Sequence, residues 1–167
     1  MGKVLIIDDD VATLKAYTAV LTALEPTLYI TNALCAETAL RYVRAVPFDA
    51  VVCDFMLPGL DGLDFVMKCD RLLPDTPVIL VTGYGDADLE RTAAQQGVYA
   101  VLHKPVEPEA LRSVVIRAIL HKRVTGTFSA EEACHELIQE LRARLQRVIN
   151  DEDIDAATAK SCQELCR

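Results

Sequence analysis

Residues 3–10 read KVLIIDDD, a short apolar run that ends in three successive carboxylates. A run of this length, rich in Val, Ile and Leu, is typical of a strand that is buried on both faces of a parallel sheet. Similar runs recur along the chain, and the predicted strands cover residues 3–7, 28–31, 50–53, 78–82 and 99–102. The sequence therefore predicts one parallel sheet of five strands.

Segments of helical periodicity separate these strands. The predicted helices cover residues 11–24, 33–46, a segment from the turn at 57–62 to about 73, a segment from the loop at 83–86 to 97, and 107–122. Asp10 is the expected N-cap of the first helix, because its side chain can accept hydrogen bonds from the first free amides. Regular alternation of strands and helices predicts an α/β fold, a doubly wound five-stranded parallel sheet with five helices.

Length and composition limit the kinds of molecule that the protein can bind and the compartment in which it is expected. The chain has 167 residues, of which 51% are hydrophobic, and this is enough for one core and a tail. Its formal net charge of −8 disfavours direct nucleic-acid binding and favours cations. No apolar run reaches the roughly 18 residues that suggest a membrane span, and the six cysteines show no CxxC motif. We expect a cytoplasmic protein with reduced thiols and no membrane contact.

The composition changes after the last predicted helix, so we expect a first domain at residues 1–122 and a helical C-terminal extension at 123–167. A linker at 125–127 precedes a predicted helix over 129–149. Apolar side chains repeat along that helix with steps of four and three residues, at Cys134, Ile138, Leu141, Leu145 and Val148. Three roles fit the extension: a linker, a dimerisation helix or the start of a missing output region.

Polar side chains follow four of the predicted strands at the point where each strand ends. Asp8 and Asp9 follow the first strand, Asp54 the third, Thr82 closes the fourth, and Lys104 comes shortly after the fifth. Carboxyl ends of parallel strands meet at one rim, so these side chains should converge there. Crowded carboxylates predict a Mg²⁺ site, and the added hydroxyl and ammonium groups suit phosphoryl transfer.

The pattern resembles the receiver domain of two-component response regulators over about residues 1–122. Four motifs carry the resemblance: LIIDDD at 5–10, VVCDFMLPGLDG at 51–62, VTG at 81–83 and KP at 104–105. The resemblance implies a flavodoxin-like receiver fold. It also implies two-component phosphorelay signalling by a phosphoacceptor switch, and a possible homodimer, rather than a turnover enzyme.

Site roles follow from the same resemblance. Asp54 would accept a phosphoryl group from a sensor histidine kinase or phosphotransfer protein. Mg²⁺ would be held by Asp8, Asp9, Asp54 and the backbone carbonyl of Met56. Thr82 would bond a phosphoryl oxygen, Lys104 would pair with the phosphoryl charge, and the Lys104–Pro105 bond is expected to be cis.

The sequence departs from the receiver pattern at several positions. Many receivers carry a Tyr or Phe as a switch side chain where this chain has Val101, and Tyr99 stands two residues earlier as a possible replacement. Bulky Met56 and Tyr84 occupy the positions that flank the entry of hydrolytic water, so we expect slow loss of the phosphoryl group. His103 is interpreted as a surface histidine, because strand alternation points it away from the side chain of Lys104.

An enzymatic alternative is a haloacid-dehalogenase-like Mg-dependent phosphatase. Such an enzyme also uses an aspartate after its first strand, a Thr or Ser, a lysine and Mg²⁺. Its signature requires Thr or Val at position 12, where this chain has Ala12, and it leaves Asp54 without a role.

Overall fold

The computed structural model describes residues 2–70, 72, 75–83 and 87–125. Five parallel strands form one sheet in the order β2-β1-β3-β4-β5. The strands are β1 (Gly2–Ile7), β2 (Leu28–Ala33), β3 (Ala50–Asp54), β4 (Val78–Thr82) and β5 (Ala100–His103). Strand order reverses direction between β1 and β3, and the groove at such a switch point is where ligands bind in this class of sheet.

Helices cover both faces of the sheet. They are α1 (Val11–Leu24), α2 (Ala36–Ala45), α3 (Gly62–Asp70), α4 (Ala87–Gln95) and α5 (residues 108–125). The predicted doubly wound α/β sheet with five helices, the flavodoxin-like receiver fold, is confirmed.

Alternate residues of the central strands β1, β3 and β4 enter two separate cores. On β1, Leu5 and Ile7 pack with α2, α3 and α4, whereas Val4 and Ile6 pack with α1 and α5. This two-sided burial explains why the strands are continuous apolar runs rather than alternating ones. It also fixes the register, because a slip of one residue would exchange the two faces.

Several predicted boundaries differ from the structure by one to three residues, and three of them have a clear physical reason. The helix predicted from residue 33 begins at Ala36, because Ala33 pairs with Ile7 as the last residue of β2. Strand β5 begins at Ala100, one residue after Tyr99. Helix α5 continues through residue 125, where the Thr125 hydroxyl donates to the carbonyl of His121 at 3.0 Å, so Thr125 belongs to the helix and not to the predicted linker.

The predictions for residues 126–167, including the apolar stripe from Cys134 to Val148, lie outside the described residues. Among the residues that are described, no helix combines the length and apolarity needed to cross a membrane.

Candidate functional site

Three carboxylates meet at the rim formed by the ends of β1 and β3. The register pairs Ile7 with Cys53, so Asp8 and Asp54 leave neighbouring strands side by side. Asp8, Asp9 and Asp54 each contribute a carboxylate oxygen to a group whose members all lie within 4.8 Å of one another. Asp8 is 2% exposed and Asp54 6%, whereas Asp9 faces solvent. The predicted carboxylate cluster is therefore present, with two members buried and one open to solvent.

Lys104 reaches into this cluster from the loop after β5. Its Nζ donates to Asp54 Oδ2 at 2.9 Å and to Asp8 Oδ2 at 3.1 Å. The following Lys104–Pro105 peptide bond is cis, as expected. Lys104 thus places one positive charge between two buried negative charges.

Thr82 closes β4 at the same rim and is fully buried. Asp54 pairs with Val81 across β3 and β4, so Thr82 lies one residue further along the adjacent strand. The carbonyl of Thr82 accepts a hydrogen bond from the amide of Lys104 at 2.8 Å. The backbone therefore joins the Thr82 and Lys104 strand ends directly.

A tight loop after β3 completes the rim. The amide of Gly62 donates to the carbonyl of Phe55 at 2.8 Å and draws the start of α3 back toward Asp54. A Cβ at Gly62 would lie 2.8 Å from the carbonyl oxygen of Asp54 and 2.9 Å from Phe55 Cα. Gly62 is thus required because there is no room for a side chain at this position. The residue with left-handed backbone conformation in this loop is Gly59, with φ of 84°.

Burial and hydrogen bonding shift the pKa values of Asp8 and Lys104 in the cluster. Burial raises the pKa of Asp8 above its usual value, although a hydrogen bond from the Asp10 amide and the nearby Lys104 ammonium oppose the change. Burial alone would lower the pKa of Lys104, but hydrogen bonds to Asp54 and Asp8 outweigh it and the pKa rises. Lys104 therefore stays charged, and three carboxylates against one ammonium leave the cluster with excess negative charge.

The neighbouring Asp10 has a different task. Its side chain accepts hydrogen bonds from the amides of Ala12 at 3.0 Å and Thr13 at 3.1 Å, which confirms the predicted N-cap of α1. Asp61 caps α3 in the same way, since its Oδ1 accepts from the amide of Asp64 at 2.8 Å. Asp10 and Asp61 are therefore helix N-caps, and the helices that they cap begin next to the site.

Met56 lies beside the cluster, two residues after Asp54. Its amide is 3.5 Å from Asp54 Oδ1, and its side chain is 55% exposed. The other residue expected to flank water entry, Tyr84, falls in a stretch that the structure does not describe.

Tyr99, the possible replacement for the switch aromatic, packs on a different side of the sheet from Val101. Its ring lies 5.3 Å from that of His121 on α5, and it packs on the α1 and α5 side of the sheet. Val101 packs against the core on the opposite side of the sheet, the one that includes Ala93 of α4. Strand alternation could not relate these two residues, because Tyr99 precedes the first residue of β5.

His103 is at the surface, as expected, but it has a partner that the sequence did not indicate. Its Nε2 lies 2.8 Å from Glu90 Oε1 on α4. No local signal could have found this pair, because it joins two elements through tertiary packing. The need for glycine at position 62 has no sequence signal either, because a glycine in a turn does not indicate what a Cβ in its place would contact.

Comparison with known proteins agrees with this geometry. Residues 4–116 match the family described as response regulator receiver domain. The chain is 32% identical to the response regulator protein FleR of Pseudomonas aeruginosa, over 87% of this chain and 31% of that protein. It is 31% identical to the C4-dicarboxylate transport transcriptional regulatory protein DctD of Rhizobium meliloti, over 93% of this chain and 36% of that protein. The chain thus spans about a third of the length of these curated relatives.

Solved structures give the same result. A response regulator receiver domain protein from Clostridium thermocellum is 28% identical, with a TM-score of 0.69 over 75% of this chain and 99% of that one. The beryllofluoride-activated DrrB receiver domain is 29% identical, with a TM-score of 0.65 over 71% of this chain and 97% of that one.

Proposed function

The chain belongs to the response regulator receiver domain family, and from that membership we propose that Asp54 accepts a phosphoryl group in a two-component phosphorelay. The donor is a sensor histidine kinase or a phosphotransfer protein. The observation that carries the proposal is the joint contact of Lys104 with two buried carboxylates, Asp8 and Asp54. A buried carboxylate next to a fixed ammonium is a nucleophile with a counter-charge already in place for the incoming phosphoryl group.

The residues at the rim fit a magnesium ion. Hard cations prefer oxygen ligands, and Mg²⁺ typically uses one or two carboxylates together with phosphoryl oxygens and water. Asp8, Asp9, Asp54 and the backbone carbonyl of Met56 would hold it, and the ion would supply positive charge that offsets the carboxylates and the charge of the incoming phosphoryl group. The mutual spacing of the three carboxylates within 4.8 Å supports this assignment.

The proposed reaction is an in-line transfer. A carboxylate oxygen of Asp54 attacks the phosphorus of the donor's phosphohistidine, the new P–O bond forms as the P–N bond breaks, and the leaving imidazole takes up a proton. Lys104 then pairs with the phosphoryl group instead of with the Asp54 carboxylate. The Thr82 hydroxyl donates to a phosphoryl oxygen.

We propose that the product acts as a switch and not as an intermediate of continuous turnover. One phosphoryl group on Asp54 changes the charge of the rim and thereby a protein-interaction surface on the same domain. The phosphatase alternative gains no support, because it gives no role to Asp54, which shares Lys104 with Asp8.

We propose a two-part organisation for the chain. The receiver domain spans residues 1–122 together with the last turn of α5, and the rest of the chain is the extension predicted from the sequence. We propose that this extension acts as a linker or as a dimerisation helix. We also propose that the chain is cytoplasmic and that it does not bind nucleic acid directly.

Intact mass measurement tests the proposal. The chain is incubated with Mg²⁺ and either acetyl phosphate or phosphoramidate. Phosphoramidate contains a P–N bond, as phosphohistidine does. We expect one phosphoryl addition that Asp54→Asn abolishes and that the exposed control Asp64→Asn retains. Addition that persists in Asp54→Asn, or none from either donor, overturns the assignment, and steady hydrolysis of a generic phosphate ester would support the phosphatase instead.

A further inference from the structure

One side-chain hydrogen bond connects the strand that leads to Lys104 with helix α4. His103 Nε2 donates to the carboxylate Oε1 of Glu90 at 2.8 Å. His103 is the last residue of β5, and Glu90 lies in the first half of α4. The contact therefore ties a strand end at the rim of the site to a helix on the outer layer of the domain.

The backbone places His103 between two residues of the site. Across β4 and β5, His103 pairs with Thr82, and the amide of the next residue, Lys104, donates to the carbonyl of Thr82. A movement at the end of β4 or at the end of β5 would therefore also move the backbone of His103.

The side chain of His103 lies on the α4 side of the sheet. Successive residues of a strand face opposite sides, so His103 shares a face with Val101. Val101 packs in the core that includes Ala93 of α4, whereas Leu102 packs on the opposite side. His103 thus provides a polar contact to α4 on the face where Val101 offers only a small apolar side chain.

We propose that His103 and Glu90 are the positioning pair through which the state of Asp54 is passed to α4. This inference rests on the proposed phosphoryl transfer to Asp54. When Lys104 leaves the Asp54 carboxylate for a phosphoryl group, the end of β5 adjusts with it. Glu90 follows His103, and α4 moves as part of the interaction surface.

The contact between His103 and Glu90 can connect β5 with α4 without being needed for the fold. Both side chains are about half exposed, at 45% for His103 and 54% for Glu90, so the pair contributes little to global stability. Its loss should leave the fold intact and remove the connection. A second ion pair, Arg91 with Asp88 at 2.8 Å, joins two residues of α4 itself, which makes it a matched control.

Hydrogen exchange at the amides of residues 87–95 tests the inference. Exchange is measured in the full chain with Mg²⁺, with and without beryllofluoride as the phosphoryl mimic, and ¹⁹F resonance monitors beryllofluoride uptake by each variant. The variants are His103→Ala, Glu90→Ala, Glu90→Gln, the double alanine variant and the control Arg91→Ala. Alanine is well tolerated in exposed helix positions, and a thermal melt confirms that each variant is folded.

We expect beryllofluoride to change exchange in α4 of the unmodified chain. His103→Ala and Glu90→Ala should each lose this response, and the double variant should lose no more than either one, because both remove the same connection. Glu90→Gln keeps an oxygen acceptor and should retain the response, as should Arg91→Ala.

Two failures are distinguishable. If beryllofluoride binds and the α4 response persists in His103→Ala and Glu90→Ala, or is lost equally in Arg91→Ala, the inference is wrong and the proposed function stands. If the unmodified chain neither binds beryllofluoride nor incorporates a phosphoryl group, the proposed function fails and the inference falls with it.

Discussion

Lys104 Nζ lies 2.9 Å from Asp54 Oδ2 and joins two residues that stand 50 positions apart in the chain. The same ammonium lies 3.1 Å from Asp8, so one cation serves two buried carboxylates. A site built in this way has excess negative charge, which a bound metal ion would offset. Its stability and its chemistry should therefore both respond to Mg²⁺.

Lys104→Met tests this charge excess. Breaking a buried ion pair costs roughly 3–5 kcal/mol, and because the Lys104 side chain is 32% exposed, we expect a smaller loss of about 1–2 kcal/mol in the free energy of unfolding without Mg²⁺. Added Mg²⁺ should restore more stability to this variant than to the unmodified chain, since it replaces the missing charge. Urea unfolding with EDTA or Mg²⁺ measures both quantities.

The control for this prediction is Lys68→Met, because Lys68 is an exposed lysine on α3. It should change the free energy of unfolding by no more than about 0.5 kcal/mol in either condition. An equal loss for Lys104→Met with and without Mg²⁺ would contradict the charge argument.

Asp8 predicts a pH dependence of stability in the absence of Mg²⁺. Burial, the main cause, raises its pKa in the folded state above the usual 3.8. Its contribution to stability is therefore fully present below pH 3.8 and is lost as the pH rises through the folded-state pKa. At neutral pH, Asp8→Asn should be more stable than the unmodified chain, and the advantage should shrink as the pH falls.

Asp10 gives a control of opposite sign. A hydrogen bond from the Thr13 hydroxyl, together with the amides of Ala12 and Thr13, lowers the pKa of Asp10. Its contribution is present above the usual value and is lost as the pH falls through the lowered pKa. Chemical unfolding across pH compares both asparagine variants, and a neutral-pH advantage for Asp10→Asn in place of Asp8→Asn would reverse the assignment of roles.

Gly62→Ala tests the tight approach of α3 to the site. The added Cβ would meet backbone atoms of Asp54 and Phe55 at 2.8 and 2.9 Å, and backbone cannot move away as a flexible side chain can. We expect a loss of about 1–3 kcal/mol in the free energy of unfolding and slower phosphoryl uptake, because the carbonyl of Asp54 must shift.

Gly83→Ala is the matched control, since nothing lies within 4 Å of its added Cβ. Its effect on stability should be small, within about 0.5 kcal/mol. Equal losses for the two variants would mean that backbone flexibility and not space explains Gly62.

The sequence was sufficient to predict the carboxylate cluster, because the chemistry depends on where strands end. Buried runs mark the ends of β1 and β3, and parallel pairing brings Asp8 and Asp54 to one rim whatever the loops do. Element boundaries are harder to predict where the intrinsic preference of a residue conflicts with its tertiary pairing. Ala33 has a strong helix preference, yet its pairing with Ile7 keeps it in β2.

Contacts between elements could not be predicted in the same way. Glu90 is one of several charged residues on the surface of α4, and its choice of His103 depends on how α4 packs beside β5. The side of the sheet on which Tyr99 packs depends likewise on the start of β5 at Ala100. Such relations come from tertiary packing, which periodicity along the chain does not encode.

Met56 predicts the lifetime of the phosphoryl group. Its side chain is 55% exposed beside Asp54, and a thioether can neither orient a water molecule by donating a hydrogen bond nor accept a proton from it. We expect slow hydrolysis in the unmodified chain and faster hydrolysis in Met56→Asn, whose amide can hold the attacking water. An amide orients water without acting as a base, so the expected gain of roughly tenfold is below the ~100-fold or more of a positioned general base.

Decay of the phosphorylated chain, followed by intact mass after removal of the donor, measures this rate. Met67→Asn replaces a similarly exposed methionine on α3 and should leave the rate unchanged, because Met67 lies on the helix beyond the loop that borders the site. A Met56→Asn variant that loses its phosphoryl group no faster than the unmodified chain would show that access of water, and not its orientation at this position, limits the reaction. The prediction thus separates two causes of a long-lived phosphoryl group by changing one exposed side chain.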